Sequence, residues 1–284
     1  MNDLARVHAR ELLRALAIEG PFNIQDVAGR LGLEIVESDV SGFDGALVRV
    51  VGVPLGTIIV KRSIREVGRK NFTIAHEVGH FVIPHHAARG ATCRSDDVES
   101  WAKSLPKEEC EANVFAGEFL IPELSVRDRV CSVAPSFESI RWMAETFSTS
   151  LTASGYRLMD ITSFRAAIVW SSAGHIRWFK PSGEFQAFIP VREKVGEGTV
   201  AYRCFSGERV ADRFERVPAE LWVEGWNMRP DATILEQSVF LPYYQSVLTL
   251  LHLDEPVELV KHEEEALAEL DPDEFTLRRK RWPR

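Results

Sequence analysis

The 284-residue sequence predicts an α+β protein built in two parts. Through the first 160 residues, apolar residues recur at helical spacing in segments that alternate with short β-branched runs. From about Phe164 the pattern changes to strands separated by turn residues. A His-Glu-x-x-His sequence at residues 76–80 falls within one of the predicted helices. We therefore expect a chemical site in the first part and a β-rich second part.

The composition is that of an ordinary globular protein, with 45% hydrophobic and 27% charged residues. The formal net charge of −8 disfavours a surface that attracts nucleic acid phosphates or anionic lipids, so neither direct DNA binding nor membrane association is expected. The four cysteines form no C-x-x-C pair, which argues against a zinc knuckle or a dithiol redox site. The N-terminus has no continuous apolar run, and we expect a cytoplasmic protein.

Turn and breaker residues delimit the elements of the first part. Helices are predicted at residues 3–18, 24–31, 71–83, 107–120 and 136–159, and strands at 33–36, 45–51 and 57–60. Gly20 breaks the first helix, and Gly32 suits the left-handed position after the second. Pro84 and Pro122 end the third and fourth helices because proline lacks the backbone donor that a helix needs. Residues 85–106 are polar and predict a surface loop.

Strands in the second part are predicted at 166–170 and 176–179, and further ones at 185–191 and 199–205. His175, Trp178 and Phe179 lie on or near the first hairpin and indicate a hydrophobic sheet core. The alternative is an aromatic-lined pocket that binds a small-molecule signal. The charge-rich end of the chain predicts a solvated helix and a flexible tail.

The spacing of His76 and His80 indicates that this helix carries a metal site. Residues four apart share one helix face, so both imidazoles can reach a single cation. Glu77 points near the same spot and can take a proton from a metal-bound water. The ligand types suit Zn²⁺, and an imidazole and carboxylate site also accepts Mn²⁺.

A catalytic zinc needs a third protein ligand, and three residues are candidates. Glu109 is favoured because it opens the fourth helix and shares a face with Asn113, which can hydrogen-bond a ligand from behind. His86 lies ten residues after His76, but Ile83 stands where a glycine turn would be needed to bring it back. Glu111 is the remaining alternative.

Two motifs in this order resemble the ImmA/IrrE family of metallopeptidases. The first is Phe72-Thr73-Ile74-Ala75-His76-Glu77-Val78-Gly79-His80. The second is Glu109-Cys110-Glu111-Ala112-Asn113-Val114-Phe115-Ala116, followed by Phe119-Leu120-Ile121-Pro122. The resemblance covers about the first 160 residues and departs at Gly117-Glu118, where small residues are usual.

The resemblance implies a gluzincin-like metalloendopeptidase with a zincin-like fold. In it, His76, His80 and Glu109 bind the metal and Glu77 is the catalytic base. The substrate it implies is a helix-turn-helix transcriptional repressor, whose cleavage relieves repression of a stress, DNA-damage or mobile-element response. Longer members add a helix-turn-helix-like segment and a GAF-like domain.

The layout of those longer members predicts four parts in this chain. They are a zincin-like metallopeptidase domain at 1–134, a helix-turn-helix-like segment at 135–160, a GAF-like sensor domain at 161–258 and a charged tail at 259–284. The helical segment raises a second hypothesis, a DNA-binding regulator. It carries Arg141 and Arg157 as its only basic residues, so a helical packing unit is favoured. A third hypothesis is a regulator that binds metal without proteolysis.

Overall fold

The computed structural model of the chain describes residues 3–49, 52–88, 91–93, 106–224 and 231–254. These residues form eight α-helices and two β-sheets, which confirms the predicted α+β class. The helices are α1 (Asp3–Ala15), α2 (Ile24–Arg30), α3 (Val67–Val82), α4 (Lys107–Leu120), α5 (Glu123–Val130), α6 (Phe137–Phe147), α7 (Leu151–Ile161) and α8 (Val200–Phe205). The strands are β1 (Leu33–Ser38), β2 (Gly45–Arg49), β3 (Gly56–Lys61), β4 (Ala91–Cys93), β5 (Ala166–Ser172), β6 (His175–Pro181), β7 (Glu215–Pro218), β8 (Thr233–Leu241) and β9 (Ser246–His252).

The first sheet has the strand order β1-β3-β2-β4. Strand β3 runs parallel to β1 and antiparallel to β2, and its residues Ile58 and Val60 are fully buried under α3. The edge strand β4 pairs with β2 inside the segment 85–106, which was predicted to be a loop throughout. That prediction was wrong at β4, because a strand of three residues is too short to show an alternating pattern.

Helices α1, α3 and α4 form the core of the first part, with α4 in contact with both others. Helix α3 begins at Val67, four residues before the predicted start at residue 71. Its first turn rests on the backbone between α6 and α7, since a Cβ added at Gly68 would lie 2.2 Å from the carbonyl carbon of Thr149. Asn71 donates a hydrogen bond to the Ser148 carbonyl at 2.9 Å. Tertiary packing therefore sets the start of this helix.

A buried ion network joins α4 to α1 and α7. Glu118, where the sequence departs from the family pattern, accepts hydrogen bonds from Arg157 at 2.5 Å and from Arg10 at 2.9 Å. Arg157 also donates to the Ile121 carbonyl at the end of α4, at 3.0 Å. The buried carboxylate is tolerated because two guanidinium groups surround it. The network holds α4 at a defined position along its axis.

The predicted helical region 136–159 consists of two helices separated by a tight turn. Ser136 and Ser150 cap α6 and α7, each accepting a hydrogen bond from the backbone three residues on. Ser148 between them has φ 50°, a left-handed conformation that ends α6. The two helices form a helical pair that packs against α3 and the second sheet.

The second sheet is antiparallel throughout, with the order β6-β5-β9-β8-β7. One face joins the core of the first part, through residues such as Ile168 and Leu250. The other face forms a second core with α8 and Trp222, through residues such as Val169 and Leu251. Every residue of the central strand β9 is buried, because both faces of the sheet are covered.

Several predictions for the second part were wrong. Residues 199–205 form helix α8, capped by Thr199, where a strand was predicted, because a short apolar run fits either structure. Residues 185–191 contain only an isolated bridge from Phe188 to Glu224. Strands β7, β8 and β9 and helix α5 were not predicted. In α5 only Val126 and Val130 are buried, which leaves almost no amphipathic pattern.

The predicted loop residues 94–105 and the predicted tail at 259–284 lie outside the described residues. The domain limits at residues 134, 160 and 258 stay a prediction. Among the helices that the structure describes, none has both the length and the apolar character needed to span a membrane.

Gly68 offers a test of the packing between α3 and the α6–α7 turn. We expect Gly68→Ala to lower the free energy of unfolding by about 1–3 kcal/mol, because the new methyl group must displace backbone atoms. Gly29→Ala is the matched control, since nothing beyond its chain neighbours and its own helix backbone lies within 4 Å of the Cβ position, and it should be neutral or stabilising by up to about 1 kcal/mol. Urea unfolding midpoints measure both changes. Equal midpoints for the two variants would contradict this packing.

Candidate metal centre

Helices α3 and α4 approach each other closely at the candidate site. Gly79 makes this approach possible, because a Cβ added there would lie 3.0 Å from the ring of Phe115. Residues 71–80 of α3 are buried, as are Ala112, Asn113, Phe115 and Ala116 of α4. The close approach brings the His76-Glu77-Val78-Gly79-His80 face of α3 against the first two turns of α4.

Three of the predicted site residues converge on one point. His76 Nε2 lies 3.1 Å from Glu109 Oε2 and 3.1 Å from His80 Nε2, and His80 Nε2 lies 3.4 Å from Glu109 Oε2. Ligand atoms around a tetrahedral zinc with bonds of about 2.0–2.1 Å are separated by about 3.3 Å. The observed triangle has nearly these dimensions, so the donor set fits a divalent cation of this size.

Hydrogen bonds behind the two imidazoles orient their Nε2 atoms. His76 Nδ1 lies 2.8 Å from Asn113 Oδ1, so the ring is a donor to the amide oxygen. His80 Nδ1 lies 2.9 Å from His86 Nδ1, and His86 Nε2 lies 3.0 Å from Glu111 Oε2. With a proton on His80 Nδ1 and another on His86 Nε2, each ring donates to the next acceptor. This arrangement leaves both Nε2 lone pairs directed at the triangle.

The three candidates for the third ligand occupy different places. Glu109 contributes to the triangle, as the residue pattern favoured. His86 reaches the opposite side of the His80 ring, because Ile83 leaves α3 in an extended conformation with φ −72°. Glu111 faces His86 and also contacts His85 at 2.5 Å. His86 and Glu111 therefore lie on the far side of His80 from the triangle, and Glu109 as third ligand stays a prediction.

Glu77 is fully buried on the same helix as the two imidazoles. The first residue of strand β2, Gly45, packs closely on Glu77. A Cβ added at Gly45 would lie 2.9 Å from Glu77 Oε1 and 2.5 Å from Thr73. The preceding residue, Asp44, is buried and accepts hydrogen bonds from Arg69 on α3. Gly45, Asp44 and Arg69 were not identified from the sequence, since no local pattern relates residue 45 to residue 77.

The electrostatic environment favours ionised Glu109 and Glu111 and a neutral His80. Burial alone would raise the pKa of Glu109, but hydrogen bonds with His76 and His80 lower it far below its ordinary value. Burial likewise opposes ionisation of Glu111, yet its bonds with His86 and His85 lower its pKa to about 2. Burial lowers the pKa of His80, so this ring is neutral near neutral pH.

His76 differs from His80 in its titration. Burial opposes a charge on this ring, but the bond with Glu109 and the nearby Glu77 carboxylate raise its pKa overall. Wherever His76 is doubly protonated, a cation that binds Nε2 has to displace that proton. Metal binding at this site is expected to release protons and to weaken as the pH falls.

The contact between His80 and His86 generates a prediction about metal affinity. His86→Ala removes the acceptor behind His80 and should weaken Zn²⁺ binding about tenfold to a hundredfold. His85→Ala is the matched control: it removes a neighbouring, partly exposed ring that also contacts Glu111, and it should change the affinity less than about threefold. Competition titration against a chromophoric chelator measures both. Equal losses in the two variants would show that His86 does not orient His80.

Comparison with known proteins finds a similarity for the part of the chain that carries this site. Residues 28–159 match the peptidase M78 family, described as the IrrE N-terminal-like domain. A search of curated proteins gives no match. Eleven chains of solved structures match, among them a Mycobacterium tuberculosis transcriptional regulator with a TM-score of 0.53 and 14% identity. That match covers 88% of this chain and 75% of the other, and at such low identity it shows a shared fold alone. The segment from residue 28 to residue 159, just under half of the chain, is thus similar to the IrrE N-terminal-like domain of peptidase family M78.

Proposed function

We propose that the protein is a metal-dependent endopeptidase that cleaves a helix-turn-helix transcriptional repressor at a specific site. The observation that carries this proposal is the triangle of His76 Nε2, His80 Nε2 and Glu109 Oε2 beside the buried Glu77. A peptidase M78 domain over residues 28–159 supports the same class of enzyme. A repressor substrate is supported by the family and by the shared fold of a transcriptional regulator.

In this proposal His76, His80 and Glu109 hold the cation, and Glu77 is the general base. A Zn²⁺ held by these residues would polarise a scissile carbonyl and lower the pKa of a water molecule. The Glu77 carboxylate accepts the proton of the attacking water and returns it to the leaving amine. The carboxylate is fully buried between α3 and β2, where the missing side chain of Gly45 leaves room for it. Asn113 and His86 hold the imidazoles in the orientation that the reaction needs.

The ligand set favours zinc and accepts manganese. Two imidazoles and one carboxylate suit Zn²⁺ in a tetrahedral site with one open position, which would be a gluzincin-like centre. The same nitrogen and oxygen donors bind Mn²⁺ with lower intrinsic affinity, so availability in the cell decides between them. We propose a zincin-like fold for the first part on this basis.

The net negative charge of the chain favours association with a substrate protein that binds DNA. A repressor carries a basic surface for its operator, and a net charge of −8 attracts such a protein at long range. We propose that the reaction takes place in the cytoplasm and relieves repression of a stress, DNA-damage or mobile-element response. The β-rich second part would be a GAF-like sensor that receives a small-molecule signal.

A DNA-binding role for the α6–α7 pair has less support. Arg141 pairs with Asp212 of the second part at 2.7 Å, and Arg157 is buried against Glu118. The N-terminus of α7, which would enter a major groove, packs beside Gly68 of α3. These contacts favour a structural role for the pair.

The substitution Glu77→Gln tests the peptidase function. The purified protein, loaded with Zn²⁺ or Mn²⁺, is incubated with the helix-turn-helix repressor encoded nearest its gene. The wild type should release a discrete fragment. Glu77→Gln should bind the same amount of metal and cleave at least about a hundredfold more slowly, because an amide cannot accept the proton.

Glu138→Gln, a substitution of the same kind at an exposed position of α6, is the control and should cleave like the wild type. Retention of cleavage by Glu77→Gln would refute the peptidase proposal. Absence of cleavage together with unchanged regulation in cells carrying Glu77→Gln would identify a regulator that binds metal without proteolysis.

A further inference from the structure

A cavity of about 360 Å³ lies where the first part meets the second sheet. Its walls come from the first turn of α3, the N-terminus of α7, strands β5 and β6, and the short 3-10 helix before β9. None of its lining residues belongs to the candidate metal centre. The volume falls within the range of small-molecule sites, about 300–1,000 Å³.

One wall of the cavity is aromatic. Trp170 and Trp178 lie parallel, with ring centroids 6.1 Å apart and an interplanar angle of 3°. Tyr244 meets Trp170 edge to face at 5.7 Å. Trp170 is half-buried, although its neighbours on β5 are almost all fully buried. Flat indole surfaces of this kind bind planar rings with a well-defined geometry.

Two arginines also line the cavity. Arg69 and Arg177 line it, whereas Glu66 is the single acidic residue among the lining residues described. Glu66 accepts a hydrogen bond from the Tyr244 hydroxyl, and Arg69 also pairs with Asp44. Helix α7 directs its N-terminus at the cavity through Ser150, Thr152 and Ala153. Helix N-termini and guanidinium groups both favour anions.

We propose that this cavity binds a small organic acid that carries an aromatic ring. Arg177 and the N-terminus of α7 bind the acidic group, and the Trp170–Trp178 wall binds the ring. A net positive cavity in a chain with a net charge of −8 is consistent with a ligand of this class.

A ligand in this cavity contacts the helix that carries the candidate metal ligands. Arg69 and Phe72 line the cavity and lie on α3, two turns or less before His76. Arg69 holds Asp44, and the next residue, Gly45, packs on Glu77. Occupation of the cavity therefore acts on the position of β2 beside Glu77. This regulatory consequence rests on the proposed peptidase function, whereas binding itself does not.

Binding is tested with 1-anilinonaphthalene-8-sulfonate, an aromatic anion, and with N-phenyl-1-naphthylamine, which has the same rings and no charge. We expect one sulfonate probe to bind per chain, and the neutral probe to bind about tenfold or more weakly. Arg177→Gln should weaken binding of the anionic probe by about tenfold or more and bring the affinities of the two probes together. Arg209→Gln, at another exposed arginine of the second part, should leave binding unchanged.

A second variant fills the cavity. Ala153→Trp places an indole in the space beside the Trp170–Trp178 wall and should abolish binding of the anionic probe, provided that the variant keeps the wild-type unfolding midpoint. Probe binding that is unaffected by both Arg177→Gln and a folded Ala153→Trp would overturn the proposal. So would equal affinity of the two probes for the wild type.

The regulatory consequence has its own measurement. The anionic probe should change the rate of repressor cleavage by the wild type and have no effect on Arg177→Gln at the same concentration. Binding without any change in the rate would overturn the regulation and leave the binding site intact. A chain that binds the probe at this site and cleaves no repressor would count against the proposed function alone.

Discussion

The close packing of α3 on α4 is the constraint on which the rest of the site depends. Gly79 lets Phe115 approach the helix backbone, and this contact sets the distance at which Glu109 meets His76 and His80. The network of Glu118 with Arg10 and Arg157 fixes α4 along its own axis. A shift of one residue along α4 would turn Glu109 away by about 100°. The packing of two helices therefore determines whether three side chains can share one cation.

Burial of the imidazoles at the site is tolerated because hydrogen bonds link them to neighbouring polar groups. The imidazoles of His76 and His80 are hydrogen-bonded to Asn113 and His86, and His86 is in turn bonded to Glu111. Burial by itself would raise the pKa values of the carboxylates, but their hydrogen bonds more than offset this effect. The pKa of Glu111 accordingly falls to about 2. A cation at the triangle would complete the network by neutralising the charge of Glu109. The site is thus preorganised by the groups behind it.

The sequence predicted those parts of the site that depend on helical periodicity. Two imidazoles four residues apart, and a carboxylate one turn before Asn113, follow directly from the geometry of a single helix. Contacts between distant segments could not be predicted in this way. Gly45 against Glu77, Gly68 against Thr149 and the cavity beside Trp170 all depend on how segments far apart in the chain pack together. The same limit explains residues 199–205, a short apolar run that forms a helix because Thr199 caps it and the second sheet covers it.

Zinc-edge X-ray absorption of the loaded protein tests most directly whether the triangle holds the metal. The account predicts one zinc per chain, bound by two imidazole nitrogens and by oxygen ligands at about 2.0–2.1 Å. Glu109→Ala should change this coordination and lower the zinc affinity, whereas Glu111→Ala should keep the same ligand set. Loss of the zinc signal in Glu111→Ala, with Glu109→Ala unaffected, would show that the cation is bound by His85, His86 and Glu111 and would contradict the account.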